Sequence, residues 1–382
     1  MTTAVVLQAS GPNALGIVRS LGRSGIPVVA ADHDPRALGL ASRYAQPAIM
    51  ADPLTSPATF VDDLLRLGRT LSGPPPVLFA THDEAVAAIG PRERELDEVF
   101  RRPWSPWARM EPILDKAHQH AAARRIGFPV PTTVEPRDER DVAHAATELR
   151  FPVILKPRSA PEFRRRFRAQ VLRADDAEGL RQAYAEAAPY EPQICEVIPG
   201  DDSHLWTLGS YRDADGERLA SFTGRKLRQW PPDFGTARAA EARWDPALAE
   251  RCHGLLDELE FHGISQVEVK RDPRDGRDYL IEVNPRSWLW IGLATACGVN
   301  LPLTCHLDAI GAEAPRRWGH PDGRRWVLSA KHLVGSAREI RRHEWTVPAF
   351  LHSLRPPVAD GVLDARDPRP AMAYTRLLRR RG

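Results

Sequence analysis

Two short apolar stretches that each carry a glutamate predict a β-hairpin in the second half of the chain. The stretches are 266–270, which reads Gln-Val-Glu-Val-Lys, and 279–284, which reads Tyr-Leu-Ile-Glu-Val-Asn. The residues between them are rich in Asp, Pro and Gly, which favour turns. A hairpin centred on this turn places Glu268 opposite Glu282. Because side chains alternate along a strand, Glu282 and Asn284 share one face.

Directly opposed carboxylates are destabilising, since their Cβ atoms lie only about 4.5–5.5 Å apart. A bound cation would remove this conflict. Two carboxylates and an amide oxygen suit Mg²⁺ when phosphate oxygens complete its coordination shell. The alternative is a solvated strand face that tolerates the glutamates. The pattern therefore predicts a metal site at Glu268, Glu282 and Asn284.

Lysine is rare in this chain, because all but five of its 53 basic residues are arginine. Lysine is a compact point charge and arginine a wide planar fork, so the two are not interchangeable at every site. The lysines that remain indicate positions where a point charge is needed, unless they survive by chance. They are Lys116, Lys156, Lys226, Lys270 and Lys331.

Two of these lysines lie at locally unfavourable positions. Lys156 follows an apolar strand, and Lys116 falls in the first turn of a predicted helix, where a cation opposes the helix dipole. Bound phosphate would stabilise both. The alternatives are a Lys156 side chain that extends to solvent and an ordinary surface position for Lys116.

The N-terminal region has the pattern of a βαβ unit. The apolar run 5–7 leads into a glycine turn and a helix, and a second apolar run, 27–31, ends at Asp32. The glycine spacing is not G-x-G-x-x-G, which argues against an NAD-dependent oxidoreductase. A later strand ends in the polar run 81–84, which is typical either of a ligand crevice or of a helix N-cap.

Composition predicts a multidomain protein without a nucleic-acid or membrane partner. The net charge is only +3 over 382 residues, and no stretch approaches the roughly 18 apolar residues of a membrane span. The four cysteines show no C-x-x-C spacing, and the first residues resemble a strand rather than a signal peptide. We expect a cytoplasmic protein. The two Trp and three Pro of segment 101–112 indicate a domain boundary there.

The motifs above, taken in order, resemble those of the ATP-grasp superfamily over roughly residues 110–300. Order and spacing carry the resemblance, and segment 225–232 is most similar to the D-aspartate ligase-like carboxylate–amine ligases. The implied architecture is an α/β and α+β chain. It has a Rossmann-like pre-ATP-grasp domain at 1–110, a two-lobed ATP-grasp domain at 111–310 and an extension at 311–382 packed on the core. The matching motifs begin at Asp115, Leu155, Glu196, Gly224, Glu268 and Glu282.

The resemblance also implies how ATP binds. Lys116 and Lys156 would hold the α- and β-phosphates, and Asp201 or Asp202 would bind the ribose hydroxyls. Cys195 stands where the family often has Gln or Glu, so adenine contacts there rest on the backbone. The adenine hinge would be Glu196, Val197 and Ile198.

The same resemblance assigns the reacting end of the site. Arg286 would face the γ-phosphate or the acyl phosphate, and Lys226 and Arg225 would reach the transferred phosphate or the substrate carboxylate. One or two Mg²⁺ or Mn²⁺ ions would be held by Glu268, Glu282 and Asn284. Segment 157–173 lacks the glycines that many relatives use over the phosphates. It carries arginines that either clamp an anion or form a solvated loop: Arg164, Arg165, Arg166 and Arg168.

The implied activity is ligation of a small-molecule carboxylate to an amine through an acyl phosphate, with release of ADP and phosphate. The alternative of the same fold is a non-catalytic nucleotide-binding protein, which would not need the Glu–Glu–Asn set. Biotin-dependent carboxylation is disfavoured, because the chain contains no biotinyl-lysine motif. The acid and the amine are not identified by the sequence, and a homodimer is the candidate assembly.

Overall fold

Buried runs of Ala and Val build a parallel sheet from the first eighty residues. The computed structural model describes residues 1–157, 163, 166–169, 171–230 and 235–379. Every residue of the first two strands is buried, as expected for a parallel sheet covered on both faces. The strand order is β3-β2-β1-β4, which confirms the βαβ unit. The elements are β1 (Ala4–Leu7), α1 (Pro12–Arg23), β2 (Val28–Asp32), β3 (Ala45–Ile49), α2 (Pro57–Thr70), β4 (Val77–Phe79), α3 (Asp83–Ile89), α4 (Glu93–Asp97) and α5 (Trp107–Ile113).

A small antiparallel sheet follows, in the order β5-β8-β6-β7. The helices in this part of the chain begin at side-chain caps. Asp115, Asp138 and Asp176 each accept hydrogen bonds from backbone N–H groups in the first turn of the helix that follows. The elements are α6 (Lys116–Arg125), β5 (Thr133–Val134), α7 (Glu139–Glu148), β6 (Val153–Lys156), β7 (Leu172–Ala174), α8 (Ala177–Ala187) and β8 (Gln193–Glu196).

The largest sheet has eight strands, seven of them in the order β13-β12-β9-β10-β11-β15-β16, with β14 paired to β10. The predicted hairpin is its β12–β13 edge. The first elements are β9 (Leu205–Arg212), β10 (Arg218–Trp230), β11 (Thr236–Ala242), α9 (Pro246–Glu258), β12 (Gly263–Arg271), β13 (Asp278–Asn284), α10 (Ile291–Ala296) and α11 (Leu301–Ala309).

The C-terminal segment completes this sheet rather than only packing on it. Strand β15 pairs antiparallel with β11, and β16 pairs parallel with β15. A buried Arg238 on β11 bonds Glu339, and Arg19 of α1 bonds Asp367. Its elements are β14 (Arg317–Trp318), β15 (Arg325–Val327), α12 (Ser329–Arg341), α13 (Val347–Ser353), β16 (Val358–Asp360) and α14 (Arg369–Arg379).

Three hydrophobic clusters form the core. The cluster around Val142, Leu155 and Ile194 belongs to the small sheet and its helices. The other two each combine residues of the N-terminal sheet with residues of the large sheet, for example Leu7 with Leu208. Packing is thus continuous across the predicted boundary near residue 110, and the limits of the three domains stay predictions. Among the described helices, none is both long and apolar enough to cross a membrane.

Candidate nucleotide and metal site

A cavity of about 630 Å³ lies where the three sheets meet. Its volume is in the range of small-molecule sites, roughly 300–1,000 Å³. The N-terminal sheet contributes Thr81 and His82 from the carboxyl end of β4, the edge at which open α/β sheets bind ligands. The small sheet contributes Lys156, and the large sheet contributes Glu268.

Four of the five lysines line this cavity, namely Lys116, Lys156, Lys226 and Lys270. The fifth, Lys331, donates to the hydroxyl of Thr236, which also lines the cavity. By contrast, of the arginines that the structure describes, only Arg173 and Arg286 are in the lining. Four of the five rare lysines thus converge on one cavity.

The hairpin has the predicted register, with Glu268 opposite Glu282. Each carboxylate is compensated by a lysine. Lys226 Nζ lies 3.0 Å from Glu268 Oε2, and Lys116 donates to Glu282. The lysines thus offset the repulsion between the two glutamates. The sequence argument predicted a bound cation for this role and not a pair of lysines.

These ion pairs set the protonation of the site. Burial raises the pKa of the Glu282 carboxyl, but the Lys116 ammonium and the Asn284 amide outweigh burial and hold that pKa well below its usual range. Burial lowers the pKa of Lys226, and the Glu268 carboxylate more than reverses this, so the net shift is upward. Glu282 and Lys226 are both charged at neutral pH.

The side chains predicted to hold a metal, each of which carries an oxygen that can bind a cation, are linked by hydrogen bonds with their neighbours. Asn284 Nδ2 lies 3.3 Å from Glu282 Oε1, and Asn284 Oδ1 accepts from Arg286 at 2.9 Å. Gln266 joins the set, since its amide donates to Glu268 Oε1 at 2.9 Å. In the part of the chain that the structure describes, no three His, Cys, Asp or Glu side chains group as a metal site. A metal here would need ligand oxygens in addition, which fits Mg²⁺ bound with phosphate.

Lys156 differs from the other cavity lysines. Burial lowers the pKa of its ammonium, and the nearby Lys116 charge lowers it further. Among the described residues, no carboxylate lies within ion-pairing distance of Lys156. An anion in the cavity would satisfy this ammonium.

The predicted hinge, residues 196–198, lies on one wall of the cavity. The N–H of Glu196 donates to Thr132 O at 2.9 Å, and that of Val197 donates to Pro152 O at 3.0 Å. No such bond from Ile198 is present within the described residues. The Ile198 N–H is therefore the hinge donor that remains available for a hydrogen bond to the base of a nucleotide.

The two aspartates predicted to bind ribose differ in their position relative to the cavity. Asp202 lines the cavity and accepts from the Gln229 N–H at 2.9 Å, and burial raises the pKa of its carboxyl. Asp201 is not in the lining. Its carboxylate caps the turn that follows, by accepting from Ser203 N at 2.9 Å.

The predicted pair Arg225 and Lys226 is also separated, because adjacent strand residues point to opposite faces. Lys226 faces the cavity. Arg225 is not in the lining and pairs with Glu241 at 3.0 Å on the other face of the sheet, near the Trp206 ring. The structure therefore does not bring Arg225 to the predicted substrate position.

Arg286 does line the cavity, where Asp83 at the start of α3 holds it. Its Nε donates to Asp83 Oδ1 at 2.8 Å, and one terminal nitrogen lies 3.2 Å from Asp83 Oδ2. The predicted crevice residues at the end of β4 thus orient this guanidinium. Of the arginine-rich loop, Arg164 and Arg165 lie outside the described residues, and Arg166 and Arg168 are not in the cavity lining.

Several lining residues have no role assigned by the sequence patterns. Two of them had a local signal, because His82 lies in the polar run 81–84 and Gln266 shares a strand face with Glu268. The others come from separate parts of the chain and meet only through tertiary packing: Asn13, His120, Gln229, Trp288 and Trp290.

Comparison with curated proteins gives two relevant relatives. The chain is 27% identical over 257 residues to a D-aspartate ligase of Enterococcus faecium, and the match covers 63% of this chain and 61% of that protein. It is 25% identical over 186 residues to a D-alanine–D-alanine ligase of Pseudomonas putida, covering 45% and 54%. The chain therefore spans less than two thirds of the length of these relatives. No family model matches it.

Comparison with solved structures shows the fold. An ADP complex of N5-carboxyaminoimidazole ribonucleotide synthetase superposes with a TM-score of 0.66 at 16% identity, covering 89% of this chain and 85% of that one. This neighbour and the two curated relatives are ATP-grasp proteins. The fold of these solved structures and the sequence similarity to these ligases both agree with the ATP-grasp resemblance that the motifs carry.

Proposed function

We propose that this protein is an ATP-dependent ligase that joins a carboxylate to an amine through an acyl phosphate and releases ADP and phosphate. The observation that carries the proposal is the grouping of cations and carboxylates in one cavity. Lys156 and Arg286 line the same cavity as the opposed Glu268 and Glu282. The names of the two curated relatives, both amino-acid ligases, support the same reaction class.

ATP would lie along the cavity from the hinge to Arg286. The Ile198 amide would bind adenine, and Asp202 rather than Asp201 would bind the ribose. Lys116 and Lys156 would contact the α- and β-phosphates. For Lys156 this contact supplies the anion that the described part of the chain does not.

Glu268, Glu282 and Asn284 would hold one or two Mg²⁺ or Mn²⁺ ions together with phosphate oxygens. Bound there, the metal supplies charge neutralisation on the distal phosphates. Lys226 remains charged beside Glu268 and would contact a transferred phosphoryl group.

The placement of charge favours reaction at the γ-phosphorus. Phosphoryl transfer depends mainly on positioning and on stabilising the charge of the γ-phosphoryl group. Arg286 is held by Asp83 and Asn284, so its guanidinium is oriented before substrate binds. A non-catalytic nucleotide-binding protein would have no need for an arginine that is oriented in this way. The proposed mechanism uses no contact from Arg225.

The test is a screen of amino acids and small carboxylates for release of ADP with ATP and Mg²⁺. Hydroxylamine should trap the acyl phosphate as a hydroxamate, because it attacks the activated carbonyl without the natural amine. ADP and phosphate should appear only when a carboxylate is present. AMP and pyrophosphate formed in step with product would overturn the proposal, and so would the absence of turnover with every acid.

Small-molecule acids and amines are the partners that this reaction requires. The homodimer, the absence of nucleic-acid binding and the cytoplasmic location stay predictions. The four cysteines are all free thiols, which is compatible with a reducing compartment.

A further inference from the structure

His82 is a cavity residue to which the proposed reaction has given no role. It follows Thr81 at the carboxyl end of β4 and precedes the first residue of α3. Its ring lines the same cavity as Arg286, the residue proposed to face the acyl phosphate. The side chain therefore shares a cavity with the group proposed to face the acyl phosphate.

The hydrogen bonds around Thr81 fix the tautomer of this imidazole. The Thr81 hydroxyl oxygen lies 2.9 Å from the carbonyl oxygen of Leu7 and 3.0 Å from that of Gln8. It also lies 2.8 Å from His82 Nδ1. A hydroxyl has one proton, and the two carbonyls can only accept, so that proton points to them. Nδ1 must then donate to the hydroxyl oxygen.

In a neutral imidazole with its proton on Nδ1, the other nitrogen, Nε2, carries a lone pair. Nε2 forms no hydrogen bond within the described parts of the chain. It is therefore free to accept a proton or a hydrogen bond from a ligand.

The charges facing His82 keep the ring neutral. Burial lowers the pKa of the imidazole, and the Arg286 guanidinium lowers it further. Three carboxylates act in the opposite direction but are outweighed: Glu84, Asp83 and Asp32. Asp83 is itself engaged by Arg286. The ring is thus below its usual pKa of 6.5 and is a base at neutral pH.

We propose that His82 is the general base that deprotonates the amine nucleophile. The proposal rests on the ligase function proposed above. Nε2 takes a proton from the substrate ammonium, and the nitrogen lone pair then forms the C–N bond. The C–O bond to phosphate breaks, and phosphate leaves with its electron pair. The second proton lost from nitrogen goes to the departing phosphate, and His82 returns its proton to water.

The kinetic test compares two nucleophiles with one acid, the carboxylate that gives the most hydroxamate in the screen. Hydroxylamine is largely unprotonated at neutral pH and needs no base. The second nucleophile is the amino acid that gives the fastest amide formation with wild type. His82→Gln should slow amide formation by about 100-fold or more, while hydroxamate formation changes only a few-fold. An equal loss in both reactions would overturn the proposal, because it would indicate a role in binding or folding.

The pH profile gives a second readout. Wild-type amide formation should fall as pH decreases through the pKa of His82, below 6.5, because the protonated ring cannot accept a proton. In His82→Gln the rate of amide formation should no longer show this fall at low pH. If the fall persists in the variant, His82 is not the general base. His144→Gln, an exposed histidine of α7 that is 73% accessible, is the matched control and should behave as wild type.

The tautomer can be tested without any substrate. Histidine labelled with ¹⁵N, with the His82 signals identified by their loss in His82→Gln, should show a protonated Nδ1 and an unprotonated Nε2 at pH 7. A proton on Nε2 would reject the general-base proposal but would not affect the proposed ligase function. Failure of wild type to form any hydroxamate would instead reject the ligase function itself.

Discussion

Glu268 of β12 lies directly opposite Glu282 of β13, and each carboxylate is paired with a lysine from a different part of the chain, Lys226 and Lys116 respectively. The pairing explains how two acidic residues can share one half-buried face of a sheet. It also alters what a charge-removing substitution should do. Removing one carboxylate no longer relieves repulsion alone but also leaves an ammonium without its partner.

The first prediction concerns Glu282→Gln, which keeps the shape of the side chain and removes its charge. Mg²⁺-dependent binding of ATP should weaken by at least about tenfold, since even residues behind metal ligands contribute that much. Without nucleotide, the free energy of unfolding at neutral pH should fall slightly, by less than about 1 kcal/mol, because the Lys116 pair is partly exposed. Melting temperatures measured across a Mg²⁺ titration with ATP test both statements.

The control for Glu282→Gln is Glu241→Gln, which breaks a similar ion pair with Arg225 away from the cavity. It should leave the Mg²⁺ titration unchanged. A titration that is the same in wild type and Glu282→Gln would reject the metal assignment.

The second prediction concerns Lys156. Lys156→Ala should weaken ATP binding by roughly 1.5–3 kcal/mol, the range for hydrogen bonds to charged groups. The substitution should not destabilise the protein without nucleotide, because it removes an ammonium whose burial already lowers its pKa. Lys156→Arg should not restore activity, since a planar fork does not fit a point-charge site. Calorimetric ATP titrations and ADP release measure these effects, and wild-type turnover in Lys156→Arg would contradict the argument from the rare lysines.

The hairpin was predictable because its determinants are local. A turn rich in Asp, Pro and Gly and a side-chain period of two are enough to place Glu268 opposite Glu282. The assignment of both Arg225 and Lys226 to the cavity could not hold, because neighbours in a strand face opposite ways. Which of the two faces the cavity depends on the packing of Trp206 beneath Arg225, and this contact is not local in sequence.

Other features depend on contacts between distant segments. His82 enters the same site as the hairpin only because three sheets converge. The strands at 325–327 and 358–360 have three residues each, too few to show a period, and they join the large sheet through β11. Sequence patterns therefore predicted the hairpin side of the cavity better than its N-terminal side or the C-terminal edge of the large sheet.

The third prediction concerns the buried pair that attaches the C-terminal segment. Arg238 is fully buried, and its guanidinium donates to both carboxylate oxygens of Glu339 at 2.5 Å. Glu339→Gln should lower the free energy of unfolding by about 3–5 kcal/mol, because it leaves a buried charge uncompensated. ATP affinity should fall as well, since Arg238 also holds the carbonyl of Gln229, whose N–H bonds Asp202.

Urea unfolding and ATP titration check this prediction. Glu344→Gln, at an exposed position just beyond α12, should have little effect on either measurement. A loss of stability in Glu339→Gln without any change in ATP affinity would show that the segment supports the fold but does not influence the ribose end of the site.

The fourth prediction is a loss of stability that begins in mild acid. Burial lowers the pKa of three histidines, to about 3 for His253 and to about 4 for His306 and His332. Nearby arginines add to this effect at His253 and His332. In the unfolded chain these rings take up protons near pH 6.5, the usual value, so the unfolded state binds more protons below that pH. Stability is therefore present above about pH 6.5 and is lost as pH falls toward the folded pKa values.

Each histidine should contribute a slope that approaches about 1.4 kcal/mol per pH unit near pH 5, so the three together should give roughly 4 kcal/mol per unit there. Urea unfolding at pH 7.5, 6 and 5 measures this slope; carboxylates titrate mainly at lower pH. In His306→Gln the slope should decrease by about a third, because burial alone perturbs that ring. The exposed His144→Gln should leave the slope unchanged. A free energy of unfolding that stays constant from pH 7 to pH 5 would mean that these three rings are already protonated, or reach solvent, in the folded protein.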